Sequence, residues 1–331
     1  MSARDSVLPP KQSELLHRAI RLEWISLVVM GLIIAAVGLT AGQSQAMRTA
    51  FVEDSLALLP PVAFLIGVWR AGKPRTPEHP YGHHRAIAAG HLVSAVALLT
   101  FGASLLYNGA SGLIKGERPP VGAVTLLGYT FWSGWLMIVV MTLSAIPPVI
   151  LGRMKLRLAE QLHDKTLAAD ADMLKADWQT GLATVAGVTG IGFGLWWADS
   201  VAAALVSASI VKDGVTNVRG AVAALLDARA TPIDSDDPHP VIEKLRQAAL
   251  RTEWVAEAEV RTRDMGHVFH SEVFVVPVEG AVLTVAQIED LRRRCSDVDW
   301  KTIDTVVVVS DAIPQGLSPL ATTPRANKAE H

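Results

Sequence analysis

Between Trp24 and Ile210 the chain is a succession of long apolar runs, and these constrain what it can fold into more than any other feature. About 17–25 predominantly apolar residues suffice for a helix to span a bilayer. At that depth no water is available, so a helix is the one isolated segment that satisfies its own backbone. Six runs are candidates, at residues 24–41, 47–69, 87–113, 121–151, 167–194 and 195–210, the sixth of them short. The fourth and fifth run long. The last two divide at the glycines of 192–194, just before Trp196 and Trp197, which suit an interfacial belt. Half of the 331 residues are hydrophobic and only 19% are charged, below the roughly 25% of soluble chains. The expected fold is a polytopic α-helical membrane protein with six transmembrane helices over residues 23–212, after a short segment 1–22.

Basic residues set the expected orientation. Arg4, Lys11, Arg18 and Arg21 precede the first run; Arg70, Lys73, Arg75 and Arg85 follow the second; Arg153, Lys155, Arg157 and Lys165 follow the fourth. The intervening loops carry Arg48, then Lys115 and Arg118. The positive-inside rule places both termini in the cytoplasm, as in a multi-pass protein of a bacterial inner membrane. The first run is long and further runs follow it, so it reads as a span rather than a cleaved signal. A net charge of -2 and no basic block give no reason to expect nucleic acid. No nucleophile–base motif points to an enzyme.

Acids stand inside two of these runs. Glu53 and Asp54 lie in the second, and Asp170, Asp172 and Asp177 in the fifth. One charge at a helix centre costs at least about 2.5–3.5 kcal/mol, so such groups face a partner, a cavity or an ion. At about 100° per residue, Asp170, Met173 and Asp177 share one stripe, while Asp172, Lys175 and Gln179 share another. Asp172 and Lys175 are placed to pair with each other. Asp170 and Asp177 then need a metal ion, a proton or a group on another helix. Glu53 and Asp54 point about 100° apart, so one of them faces the stripe. Pro60 and Pro61 lie two turns on, and Pro147 and Pro148 near the end of the fourth run; each pair kinks its helix, either to shape a cavity or for packing.

Six spans, an acid in the second, the fifth-span pattern A-D-x-x-[ligand]-x-x-x-D and the loop HPYGHHRA at 79–86 resemble the cation diffusion facilitator family from about Leu15 to Pro314. The resemblance implies proton-coupled efflux of a divalent cation by a homodimer working through alternating access. Family members usually supply two ligands from each helix, a His or Asp and an Asp four residues on. Here Asp177 matches one position of the fifth span, but the other is Met173. On the second span Asp54 (or Glu53) matches, but its partner position is Leu58 (or Ala57). Three readings stay open: a displaced carboxylate site of Glu53, Asp54, Asp170 and Asp177; a different ion; or a scaffold without transport, whose soluble part senses or binds a partner. An all-oxygen site favours Mn²⁺, Fe²⁺ or Mg²⁺ over Zn²⁺, and a thioether suits Cu(I). His79, His83 and His84 are either an entry point for metal or a loop packed at the helix ends, where Gly82 permits a tight turn.

After Ala230 the composition turns polar. Residues 213–240 read as connection and linker, 241–314 as a cytoplasmic α+β domain, and 315–331 as a disordered tail. Helical spacing at 240–251, alternating strands at 255–263 and 267–278, a helix at 285–296 and a valine-rich strand at 302–310 give the order αββαβ, a ferredoxin-like arrangement with helices on one face. His267 and His270 fall on opposite strand faces, a poor joint metal site, though Asp311 is a possible neighbour for one of them. The lone Cys295 excludes an intrachain disulfide.

Overall fold

The computed structural model describes residues 8–40, 55–116, 123–126 and 129–314. It divides into two compact units, Met1–Ala223 and Ala224–His331.

The first unit is helical: α1 (Pro10–Thr40), α2 (Leu59–Ala71), α3 (Ala86–Lys115), α4 (Ser133–Ser144), α5 (Ile146–Leu162), α6 (Lys165–Gly192) and α7 (Ala198–Leu225). Three stretches among the described residues are long and apolar enough to cross a membrane: Ala86–Lys115, Met137–Leu162 and Ala198–Leu225. Large apolar side chains face outward along these helices and along α1, among them Val28, Leu32, Val139, Leu143 and Leu205. On a water-soluble surface so much exposed apolar area would be a liability; against acyl chains it is the expected solvent-facing side.

Several boundaries differ from the sequence expectation: α1 already begins at Pro10, ahead of the run at residue 24, and α5 continues past residue 151 to Leu162. The fourth apolar run does not start as a helix: β1 (Ala123–Leu126) and β2 (Tyr129–Trp132) form an antiparallel hairpin ahead of α4. Val124, Thr125, Tyr129, Thr130, Phe131 and Trp132 are β-branched or aromatic, which favours extended backbone over helix at equal hydropathy. The helix after Trp197 also runs on to Leu225, well past Ile210, because its charged continuation holds no proline until Pro232.

Each proline pair opens a helix rather than bending one from inside. Pro60 and Pro61 take the first positions of α2, and Pro147 and Pro148 those of α5. There the missing amide would have had no intrahelical partner, and φ is already helical. α4 hands over to α5 at Ala145, whose amide donates to Met141 O while its carbonyl accepts from Val149 N.

Glycine allows α3 and α7 to touch. A Cβ added at Gly102 would stand 2.8 Å from Ile210 Cγ2, and one at Gly214 would stand 2.7 Å from the Leu99 Cα. Small residues at such crossings replace the hydrophobic drive that lipid cannot supply. Because the obstacle at Gly214 is backbone, Gly214→Val should cost about 1–3 kcal/mol and lower the thermal midpoint in detergent; an unchanged midpoint would place the crossing elsewhere.

The second unit has the order α8 (Pro240–Leu250), β3 (Val255–Asp264), β4 (Phe269–Pro277), α9 (Val285–Ser296) and β5 (Asp304–Val309). The sheet order is β3-β4-β5, with β3 and β4 antiparallel and β4 and β5 parallel. Gly266, at φ +93°, turns the hairpin, and the Asp264 side chain accepts from its amide. The core is Val241, Leu245 and Ala249 of α8, Leu291 and Cys295 of α9, and Val260, Phe269, Val273 and Val275 of the sheet. Thr284 and Gln287 form a capping box at the head of α9.

Burial pushes the Cys295 thiol up to about 11. A folded pKa above the unfolded value stabilises below the latter and is lost as pH rises through the former. The second unit should therefore weaken from about pH 9 to pH 11. Cys295→Ala should lack that step in pH-dependent melting; an identical pH slope would assign the loss to other groups.

A candidate metal path in the helical unit

α6 begins at Asp164, whose carboxylate accepts from the amides of Thr166 and Leu167, while His163 ends α5 in the left-handed region at φ 48°. From that fixed start the acids of α6 meet three different surroundings.

Asp170 is 1% exposed and accepts from Lys155 Nζ at 2.5 Å; the same ammonium donates to Glu23 at 2.8 Å. All three side chains are buried, one each from α1, α5 and α6. Of the partners the sequence left open for Asp170, the structure supplies a group on another helix. Lys155, counted among the basic loop residues, is in fact sealed inside the bundle. Asp172 does not pair with Lys175 as the spacing suggested. It accepts from Asn217 Nδ2 at 2.9 Å, while Lys175 donates to Asp213 at 2.7 Å. Since the Asn217 amide nitrogen is committed to Asp172, its oxygen accepts from His91 Nε2 at 3.3 Å. α3, α6 and α7 are thus tied by a polar chain of His91, Asn217 and Asp172.

Met173, next on the acidic stripe, is buried among Met30, Ala57, Leu98, Phe101, Ala176 and Ile210. Ala57 lies just after Glu53 and Asp54, which are themselves outside the described residues. Asp177, one turn beyond Met173, is half-buried, and its main-chain oxygen accepts from Thr180 Oγ1 at 2.8 Å.

The loop before α3 brings His79 and His83 together, ring centroids 4.2 Å apart and edge-on. Partial desolvation, then the nearby His79, Arg70 and Lys73, lower the pKa of His83, which favours neutral imidazole. Gly82 turns the loop at φ +82°, with the His84 ring beside it. No group of three or more His, Cys, Asp or Glu side chains able to hold a metal ion occurs among the described residues. In the second unit both nitrogens of His270 are engaged, Nδ1 with Asp304 at 2.7 Å and Nε2 with Glu272 at 3.4 Å. Asp304, rather than Asp311, is its partner from the neighbouring strand.

Sequence reasoning passed over Glu23, Lys155, Asp213 and Asn217. One signal was present: Glu23 and Lys155 each abut an apolar run, and opposite charges at equal membrane depth are candidates to pair.

Residues 24–226 match the family described as the cation efflux transmembrane domain. This chain belongs to the cation efflux family. Among its relatives, the manganese efflux system protein MneS of Bacillus subtilis is 27% identical over 187 residues, 55% of this chain and 59% of that protein. The uncharacterized transporter YdbO of the same organism is 26% identical over 278 residues, 80% of this chain and 88% of its own length. The manganese efflux system protein MneP, also of Bacillus subtilis, is 21% identical, covering 68% and 72%. The cation efflux match ends at residue 226, just past the end of α7, so all but the first three residues of the second unit lie outside it.

The buried triad gives a test of this geometry. Lys155→Met leaves two carboxylates buried without their cation and should cost about 3–5 kcal/mol. The neutral triple variant Glu23→Gln, Lys155→Met, Asp170→Asn should recover much of the loss. Thermal unfolding in detergent distinguishes them; a harmless single variant would break the triad assignment.

Proposed function

We propose that this protein exports a divalent metal ion of the manganese class from the cytoplasm in exchange for protons, as a homodimer of six-span subunits alternating between inward-open and outward-open states. The observation that carries this reading is the packing of Ala57 against Met173. It brings the stretch that follows Glu53 and Asp54 in sequence against α6 one turn from Asp177, which supports a site shared between acids of the two runs.

The reading assigns Asp177 and either Asp54 or Glu53 as ligands. Asp170 instead neutralises Lys155, and Met173 fills the apolar wall beside the ion. Carboxylate oxygens are hard donors and suit Mn²⁺ better than Zn²⁺, which takes nitrogen or sulfur readily. Two relatives are named as manganese efflux proteins. Protons and metal compete for the same carboxylate oxygens: protonation from outside releases the ion, and deprotonation toward the cytoplasm restores the site.

Proteoliposomes containing the full chain should acidify or alkalinise their lumen when a Mn²⁺ gradient is applied. Asp177→Ala should abolish that flux while leaving the protein folded. Flux retained in Asp177→Ala would move the site off α6. No flux with Mn²⁺, Fe²⁺, Co²⁺ or Zn²⁺, from protein shown to be folded, would favour the non-transporting scaffold.

A further inference from the structure

An apolar groove of about 470 Å³ runs between α1 and α2, lined by Ile20, Trp24 and Leu27 on one side and Val62, Ile66 and Trp69 on the other. The α1 residues lie at i, i+4 and i+7, about 10 Å of one helix face. The groove faces outward: Trp24 is 58% exposed and Ile66 55%. Its mouth is not apolar. Trp69 carries two cations, Lys73 Nζ at 4.1 Å and the Arg70 guanidinium at 5.6 Å from its ring centroid. Neither lysine nor guanidinium is drawn into an ion pair among the described residues, so both charges stand at the mouth of the groove.

We propose that this groove binds one anionic glycerophospholipid, with an acyl chain along Ile20, Trp24, Leu27, Val62 and Ile66 and the headgroup phosphate against Lys73 and Arg70. Three features select that occupant. An apolar slot on a membrane-embedded helix pair is filled by acyl chain. A tryptophan at its end sits at headgroup level, where indole is favoured. Two cations held over that indole supply the charge that an anionic headgroup, and not a zwitterionic one, complements. The cation–π contacts hold the two long side chains at the mouth, which reduces the ordering cost of meeting a phosphate.

Native mass spectrometry of the purified full chain with phosphatidylglycerol or phosphatidylethanolamine of identical acyl chains tests this. The wild type should retain phosphatidylglycerol about thirtyfold more than phosphatidylethanolamine, the scale expected for two basic contacts. The double variant Arg70→Gln, Lys73→Gln should lose that preference and leave phosphatidylethanolamine retention unchanged. Val62→Trp, which fills the slot, should lower retention of both lipids. All three are surface changes, and a monodisperse elution profile checks that each variant folds. Equal retention of the two lipids by the wild type, or undiminished preference in the double variant, overturns the proposal. So does efficient cross-linking between two copies of Ile66→Cys in a bilayer, because a second copy of the chain would then fill the groove.

Discussion

A bilayer core offers neither hydrogen bonds nor counter-ions, and this chain has to supply both from within. The backbone demand is met by helices. The charge demand is met by placing each buried ion against another, and the case on which the bundle depends is Lys155. Its ammonium sits between Glu23 and Asp170 with all three side chains removed from solvent. Coulombic attraction in such a place is strong, but desolvation nearly cancels it. What the triad secures is registry: α1, α5 and α6 satisfy it in one mutual arrangement. Sliding one of them by a turn strands a charge.

Registry of α6 matters because its acids have different partners. Asp170 answers Lys155, Asp172 answers Asn217, and Met173 closes an apolar cluster that includes Ala57. Asp177 comes next on the stripe. α7 is drawn toward α3 and α6 by glycines on one side and by Asn217 and Asp213 on the other.

Much of this was legible in the sequence. Apolar length marked where helices of the first unit run but not their ends, and the α8–β3–β4–α9–β5 order followed from switches between 3.6 and 2.0 periodicity. The hairpin at β1 and β2 was not legible, since hydropathy weighs Val124 and Phe131 alike in helix or strand. Pairing within α6 misled for a physical reason: Asp172 and Lys175 are one turn apart, yet each finds a better-placed partner on α7. Lys155 was invisible because a lysine beside an apolar run reads as a loop residue until the helix is seen to continue past it to Leu162.

The prolines at the head of α2 carry a consequence for ion chemistry. Pro60 and Pro61 have no amide hydrogen, so the carbonyls of Leu56 and Ala57 cannot receive the helical bond from four residues on. Those two oxygens follow directly on the segment bearing Glu53 and Asp54, in the same stretch that packs against Met173. They are hard, neutral donors whose affinity for a cation does not change with pH. On the proposed exchange, in which protonation of the carboxylates releases the ion, they would keep a foothold for it.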